Sequence, residues 1–210
     1  MEPSKLPRRE REKLAQRQEM LDAALALFST RGYRNVSMHD IAAKAEFAVG
    51  TLYKFFKSKE DLYKALILET SYKFRDTLKE AISAPGSEID RLRSYVRTKG
   101  QLFKGSAAMI RLYFAETQGA DFDVMAGLNS EIREDHRRFM DSLAAIFDGG
   151  MKKKSFRKIA APLILALALD SFTNAFLFRW LEDPEHNHYP EDPDIILNIF
   201  FKGLLPQEKT

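Results

Sequence analysis

The sequence predicts an all-α protein with a small N-terminal helical domain and a larger helical body. Leu, Ala, Lys, Arg and Glu are abundant among its 210 residues, and these residue types favour helices over strands. Apolar residues also recur every three or four positions along most of the chain, which places them on one face of a helix. No segment alternates apolar and polar residues convincingly, as a half-buried strand would.

The N-terminal domain is predicted to contain three helices. The first covers residues 8–31 and ends at Gly32, since glycine commonly follows a helix C-terminus. Its apolar face carries Leu14, Leu21, Leu25 and Phe28. Two short helices follow, over residues 38–45 and 48–55, with a turn at Glu46 between them.

The helical pattern continues beyond Ser58, which is placed to cap the next helix. Further helices are predicted over residues 58–81, 88–104, 106–118, 122–148, 155–182 and 192–205. Breaks between them are predicted at residues 84–88, Gly105, Gly119, Gly149–Gly150 and residues 183–193. We therefore place the N-terminal domain at residues 1–59 and the body at residues 60–210.

Composition and charge limit the possible partners. The chain has no cysteine, which excludes disulfides and thiolate metal sites. Residues 1–59 hold 12 Lys/Arg against 7 Asp/Glu, whereas residues 60–210 hold 21 against 23, so a polyanionic partner is expected for the N-terminal domain. The basic arm at residues 5–12 either follows DNA phosphates or enters a minor groove with Arg8, Arg9 and Arg11, or it forms a solvated end. Because the N-terminus lacks the apolar core of a signal peptide, and the apolar run at 160–169 is too short to span a bilayer, we expect a cytoplasmic protein without membrane contact.

The two short helices and their turn have the register of a helix-turn-helix. Ser37 stands at the N-cap position of the first short helix, and Asp40 follows three residues later, as in a capping box. Packing of the two helices requires small or apolar residues at fixed offsets, and these are Ile41, Ala42, Ala45, Phe47, Leu52 and Phe55. The small side chain of Ala42 lets the second helix approach closely.

The second helix of such a unit can enter the DNA major groove with its N-terminal residues toward the base edges. Gly50 lets the backbone lie close to DNA, Thr51 offers a hydroxyl and a methyl group, and Tyr53 offers its phenol to a phosphate. The predicted DNA contacts are Ser37, His39, Val49, Gly50, Thr51, Tyr53, Lys54, Lys57 and Lys59. The alternative interpretation is that Tyr53, Phe55 and Phe56 only fill the core and rim of a helical bundle.

The segment HDIAAKAEFAVGTLYKFFKSKEDL (39–62) resembles the DNA-binding segment of the TetR (tetracycline repressor) family of bacterial transcription regulators. The resemblance covers about residues 15–65 and is most specific in GTLYKFFKSKEDL. It implies a homodimeric repressor that releases its double-stranded operator when a small molecule occupies the larger domain. The chain departs from the family pattern at Glu46, where glycine is common, at Ala48, where serine or threonine is frequent, and at Val49, where a polar or basic residue is frequent.

The body is expected to hold the effector and the dimer interface. The segment 163–182 is apolar nearly all round and the last helix has a broad apolar stripe, so we expect homodimerisation through the last two helices. The candidate contacts for an apolar or amphipathic effector are Phe74, Phe103, Met109, Tyr113, Phe114, Phe139, Asp170 and Asn174. A buried Asp170 needs a partner. It can pair with Arg111 or Arg179, form a hydrogen bond across the dimer axis, or face the ligand.

The sequence contains no arrangement typical of catalysis or cofactor binding. It has no glycine-rich phosphate loop, nucleophile elbow or HExxH motif, and the two histidines of HNH at 186–188 lack further ligands. We therefore expect no enzyme activity, no metal and no cofactor. The competing hypothesis is a DNA-binding protein whose body only dimerises or recruits a protein partner, without an effector.

Overall fold

The computed structural model describes residues 6–117 and 122–202, and the side chains of residues 113–117, 122–129, 131 and 132 lie outside this description. Its helices are α1 (Arg8–Arg31), α2 (Met38–Lys44), α3 (Val49–Phe55), α4 (Lys59–Ser83), α5 (Glu88–Gly105), α6 (Ala107–Thr117), α7 (Phe122–Lys152), α8 (Pro162–Glu182) and α9 (Pro193–Lys202). No strand occurs among the described residues, so the predicted all-α fold class is confirmed. The predicted break at Gly119 lies outside them.

The chain packs into two compact units. The first comprises Met1–Ser71 and Ala108–Asn129, and the second comprises Tyr72–Ala107 and Ser130–Thr210. Helix α4 runs without interruption from the first unit into the second. The functional domain limits expected from the sequence, 1–59 and 60–210, stay a prediction.

The core of the first unit forms around α1, α2, α3 and the first half of α4. Side chains on the inner faces of these helices are almost completely buried, among them Met20, Leu21, Phe28, Ile41, Leu52, Leu62 and Leu66. The rings of Tyr33 and Tyr63 pack 5.0 Å apart beside Phe28. Helix α1 ends at Gly32 as predicted, and the φ of 77° at this glycine is unfavourable for a residue that carries a Cβ.

The second unit is held together by α5, α7, α8 and α9. Its buried side chains include Leu92, Val96, Leu143, Phe147, Leu169, Leu177 and Ile196. Between α5 and α9, Arg93 Nε donates to Asp194 Oδ1 at 2.7 Å. The ring of Tyr189 lies directly on Gly100, where a Cβ would come within 2.3 Å of a ring carbon, so glycine is needed there for close approach.

Helix α8 has both a buried and an exposed apolar face. Ala166, Leu169 and Thr173 are buried, whereas the opposite face leaves Leu163, Ile164, Leu167 and Phe178 exposed within this chain. By length and composition alone, α8 is the one described helix that could cross a membrane, a property that core helices of soluble proteins share.

Two predicted helix boundaries in the second unit are wrong. Helix α7 does not break at Gly149–Gly150 but continues to Lys152, because Gly150 serves close packing: a Cβ there would lie 2.3 Å from the ring of Phe156. Residues 155–161, predicted as helix, are irregular, and α8 begins only at Pro162. Proline disfavours helical backbone in the residue before it and is well suited to the first helical position.

The two adjacent glycines of α7 give a matched pair of substitutions. Gly150→Ala is expected to lower the free energy of unfolding by about 1–3 kcal/mol, because the added methyl group would overlap the ring of Phe156 in a filled core. Gly149→Ala is expected to raise it by up to about 1 kcal/mol through helix propensity, since a Cβ there would lie 3.6 Å from the nearest Glu88 oxygen. Urea unfolding followed by circular dichroism measures both. Equal effects would contradict the close-packing explanation.

Candidate functional site

Helix α2 is followed by a turn that contains one residue with a left-handed backbone conformation. The amide of Phe47 donates to the carbonyl of Ala42 at 2.9 Å, and the amide of Ala45 donates to the carbonyl of Ile41 at 2.9 Å. Glu46 between them has a φ of 59°, a conformation usually taken by glycine at this point of the motif. The sequence left open whether the turn avoids positive φ at Glu46. The chain instead accepts the strain, which costs on the order of 1 kcal/mol.

Two buried side chains fix α3 on the first unit. Leu52 within α3 is 0% exposed, and Phe56 directly after it is 1% exposed. The guanidinium of Arg17 lies over the ring of Phe56, 5.1 Å from its centroid. Ala42 of α2 is buried, in line with its expected packing role. Phe55, expected from the sequence to anchor the helix inside, is only half-buried, so Leu52 and Phe56 provide the anchor.

The N-terminus of α2 is closed by the predicted capping box of Ser37 and Asp40. The Asp40 amide donates to Ser37 Oγ at 3.1 Å, and the Ser37 amide donates to Asp40 Oδ2 at 2.8 Å. Hydrogen bonds from the hydroxyl and amide of Ser37, with a smaller contribution from Arg31, lower the pKa of Asp40 from its ordinary 3.8 to about 2. Because the pKa is lowered on folding, the capping box contributes fully above pH 4 and is lost as pH falls toward 2.

The N-terminal edge of α3 is open to solvent. A Cβ at Gly50 would meet no atom within 4 Å, and Gly50 itself is exposed. Tyr53 is 49% exposed, while Val49 and Thr51 are half-buried. Ala48 caps α3 without a side-chain hydrogen bond, which follows from the alanine at this position. A duplex approaching this edge would therefore meet Gly50, Thr51 and Tyr53 without obstruction from the first unit.

The predicted basic contacts separate into two kinds. Lys54 and Lys57 are exposed beside α3, and His39 is exposed on α2. Lys59 instead points inward, and its Nζ donates to the carbonyls of Tyr33 at 3.0 Å and Val36 at 2.9 Å. The same Nζ lies 4.4 Å from the ring centroid of Tyr33. Lys59 thus ties the start of α4 to the segment between α1 and α2, a structural role that sequence reasoning missed.

From Arg8 onward, the basic N-terminal arm is helical, because α1 begins there. Residues 7–16 are exposed, and Arg8 Nε donates to Glu12 Oε1 at 2.7 Å one turn later. Residues 8–12 therefore form the first turns of α1, and the contact of the arm with DNA stays a prediction.

The predicted effector contacts are distributed over both units. Met109 belongs to the first unit and is buried, whereas the side chains of Tyr113 and Phe114 lie outside the described part of the chain. In the second unit, Phe74 is half-buried and Phe103 is 8% exposed.

Phe139 lies in the interior of the second unit beside a polar cluster. Its own side chain is 5% exposed, and its ring is 5.8 Å from that of Tyr95. The hydroxyl of Tyr95 donates to Asp170 Oδ1 at 2.6 Å. Whether Phe139 and Asp170 touch an effector stays a prediction, but the structure does place them in one neighbourhood.

The charged partner of Asp170 is Lys99 of α5, which sequence reasoning had not named. Lys99 Nζ pairs with Asp170 Oδ1 and donates to Thr173 Oγ1 at 3.1 Å, while Asn174 Nδ2 donates to Asp170 Oδ2 at 3.0 Å. We call Tyr95, Lys99, Asp170, Thr173 and Asn174 the buried ion-pair cluster. Arg179, one of the possible partners considered from the sequence, instead donates to Asn187 Oδ1 at 3.0 Å.

Burial acts against the charges of this cluster: it lowers the pKa of Lys99 from its ordinary value, although the charge of Asp170 opposes that shift. Burial raises the pKa of Asp170, but the charge of Lys99 and the hydrogen bonds from Lys99 and Tyr95 outweigh it and hold the pKa below its ordinary value. Burial and the charge of Asp170 raise the pKa of Tyr95, so its hydroxyl stays protonated and can donate. The cluster therefore joins α5 and α8 through a buried carboxylate whose two oxygens both accept hydrogen bonds.

The helix-turn-helix lies within a segment that matches a known family. Residues 20–66, from within α1 to α4, match the family described as "Bacterial regulatory proteins, tetR family". This segment identifies a DNA-binding domain of the TetR type. The chain is accordingly a DNA-binding regulator of transcription. The resemblance stated from the residues of 39–62 is confirmed.

Similar proteins extend the match beyond the helix-turn-helix. The transcriptional repressor KstR2 of Rhodococcus jostii is 27% identical over 153 residues, which cover 69% of this chain and 70% of KstR2. The fatty acid metabolism regulator protein of Bacillus subtilis is 22% identical over 188 residues, which cover 89% of this chain and 94% of that protein. The solved structure of FadR from Bacillus subtilis in complex with stearoyl-CoA superposes with a TM-score of 0.72 at 19% identity, covering 90% of this chain and 99% of FadR. At that identity the superposition shows a shared fold.

The inward position of Lys59 leads to a stability prediction for the DNA-binding unit of this regulator. Lys59→Met is expected to lower the free energy of unfolding by about 1–2 kcal/mol, because two carbonyl groups lose a charged donor. Lys57→Met is the control, since Lys57 is exposed and should change stability by less than about 0.5 kcal/mol. Chemical unfolding of both variants is the measurement. If Lys59→Met were as stable as Lys57→Met, the structural role of Lys59 would be wrong.

Proposed function

We propose that this TetR-family protein is a homodimeric repressor that releases its operator when a small amphipathic molecule occupies the helical body. The observation that carries the proposal is the helix-turn-helix whose open edge presents Gly50, Thr51 and Tyr53 to solvent. Such an edge fits the wide major groove of double-stranded DNA, where base pairs are distinguishable.

The individual contacts follow from side-chain chemistry. Val49, Gly50 and Thr51 face the base edges, and the Thr51 methyl group suits a thymine. The proposed contacts with the sugar-phosphate backbone are Ser37, His39, Tyr53, Lys54 and Lys57. Because Val49 offers no hydrogen bond, part of the specificity must come from DNA shape.

The homodimer is proposed to form through α8 and α9. Exposed apolar side chains follow one face of each helix: Leu163, Ile164, Leu167 and Phe178 on α8, and Ile195 and Ile199 on α9. Apolar surface of this kind favours burial against another protein surface, and a self-complementary face favours a two-fold dimer. A two-fold dimer also presents two reading helices to two half-sites of one operator.

The effector is proposed to be a long-chain acyl compound, with an acyl-CoA thioester as the first candidate. One relative is named for fatty acid metabolism, and the FadR structure contains stearoyl-CoA. The candidate contacts in the body are mostly aromatic, which suits an apolar chain. The family is one of regulators, so we infer that the body binds this molecule without transforming it, in the cytoplasm.

The test begins with an operator selected from a random duplex pool. We expect the fluorescence anisotropy of that labelled operator to report specific binding, and stearoyl-CoA to weaken the affinity by about 5–150-fold, the usual range of allosteric coupling. Free coenzyme A and stearate are the controls for the two halves of the molecule. If no acyl compound changed affinity or thermal stability while specific binding persisted, the body would serve dimerisation or protein recruitment instead.

A further inference from the structure

The irregular segment after α7 carries the densest positive charge of the chain. Residues 152–158 read KKKSFRK, and we call them the basic loop. Residues 149–169 contain five lysines and arginines and no aspartate or glutamate. This concentration stands out because residues 60–210 as a whole hold more acids than bases, 23 against 21.

Local structure accounts for two of the five cations. Lys152 Nζ lies 2.5 Å from Asp148 Oδ2, and Lys153 Nζ donates to Glu88 Oε1 at 2.6 Å. Both lie at the C-terminal end of α7, where positive charge also interacts favourably with the helix dipole. The hydrogen bond from Lys153 lowers the pKa of Glu88, so this carboxylate is ionised at neutral pH.

The local structure does not account for the other three cations. Lys154, Arg157 and Lys158 are exposed, and none of their side chains has an acidic partner among the residues that the structure describes. Arg157 and Lys158 also lie beyond the last turn of α7 and before α8, so neither helix explains their charge. Three unpaired cations within five residues repel one another, and a bound polyanion would relieve that repulsion.

The loop is held on the body of the second unit. The ring of Phe156 stacks on Phe201 of α9 at 5.5 Å and packs against Gly150, and Ser155 Oγ donates to the carbonyl of Gly150 at 3.0 Å. The cations on either side of Phe156 are therefore presented from a fixed scaffold. Next to them, Ile159 is 72% exposed, more than any other large apolar side chain described.

We propose that the basic loop is a binding site for phosphate groups. Lys154, Arg157 and Lys158 receive the phosphate oxygens, for which guanidinium and ammonium groups are the usual protein donors. Where the phosphate belongs to a lipid, Ile159 lies against the adjoining apolar part of the same molecule. The phosphate can come from a phospholipid head group in a bilayer or from a dissolved polyphosphate, and the two sources differ in whether they use Ile159.

The experiment compares the full-length protein with a triple variant, Lys154→Gln/Arg157→Gln/Lys158→Gln. The matched control, Lys79→Gln/Arg97→Gln/Lys104→Gln, removes the same charge elsewhere in the second unit. One arm measures sedimentation with vesicles of 30% phosphatidylglycerol in phosphatidylcholine, against pure phosphatidylcholine. The other arm measures binding of inorganic tripolyphosphate by calorimetry. Circular dichroism checks that all variants fold.

Wild type and control are expected to bind at least one of the two anionic probes. The triple variant should bind vesicles about 100-fold more weakly, since each of the three cations near an anionic surface contributes roughly a fivefold factor. Ile159→Ser should weaken vesicle binding and leave tripolyphosphate binding unchanged, which identifies the source. If neither probe bound, or if the triple variant bound as tightly as the control, the proposal would be overturned. The triple variant would bind as tightly as the control if the DNA-binding unit, and not the basic loop, held the anions.

Discussion

Lys99→Met is expected to lower the free energy of unfolding by about 3–5 kcal/mol, because it leaves the Asp170 carboxylate buried without its counter-charge. Lys99 and Asp170 are each 7% exposed, so water cannot replace the lost ammonium group. Methionine is only one heavy atom shorter than lysine and is likewise unbranched, so little packing is lost. Urea denaturation at pH 7 measures the effect. A loss below about 1 kcal/mol would show that Asp170 is solvated or paired elsewhere.

A double variant separates the charge from the packing. Lys99→Met/Asp170→Leu removes both charges and should recover most of the stability lost in Lys99→Met, since apolar replacements of buried ion pairs are often neutral. In Lys99→Met alone, the missing cation should raise the pKa of Asp170 above its value in the unfolded chain. Its stability deficit should therefore shrink as pH falls, because protonation removes the buried charge.

Gly50→Glu is expected to weaken binding to the selected operator more than about 100-fold while the protein stays folded. A Cβ at Gly50 meets no atom within 4 Å, so the glutamate side chain has room within the first unit. On DNA, the same side chain would occupy the space between α3 and the base edges and bring a negative charge among phosphates. Anisotropy at fixed salt measures affinity, and thermal unfolding checks the fold.

The matched control for this variant is Gly105→Glu. Gly105 is also a helical glycine with no atom within 4 Å of a Cβ, but it lies at the end of α5. Gly105→Glu adds the same charge to the protein as Gly50→Glu and should leave operator affinity within about twofold of wild type. Equal affinities of the two variants would place the DNA-contacting surface somewhere other than α3.

Much of the fold follows from local sequence signals. The capping box of Ser37 and Asp40, the stop at Gly32 and the periodic apolar residues each depend on neighbours within a few positions, and the structure contains all three. The helix-turn-helix is recognisable for the same reason, because its packing residues fall within about 20 positions. Short-range chemistry determines these features, so a single sequence reveals them.

The errors arose where a residue has its partner outside its own helix. Gly149–Gly150 resembles a break, yet Gly150 is small because Phe156 packs on it. The late start of α8 is the exception, because Pro162 signals it locally.

Two lysines show the same limit for polar contacts. Lys99 and Asp170 are 71 residues apart, and nothing near either residue indicates the other. Lys59 bonds to backbone carbonyls, which every residue carries, so the sequence cannot distinguish it from the exposed Lys54 and Lys57.

The central claim is that the N-terminal edge of α3 lies in the major groove of an operator. Dimethyl sulfate footprinting of the selected duplex tests it directly, because the reagent methylates guanine N7 in the major groove and adenine N3 in the minor groove. We predict protection of guanine N7 in two half-sites whose centres lie one helical turn, about 10 base pairs, or a multiple of it apart. Protection of adenine N3 with guanine N7 left fully reactive would contradict it.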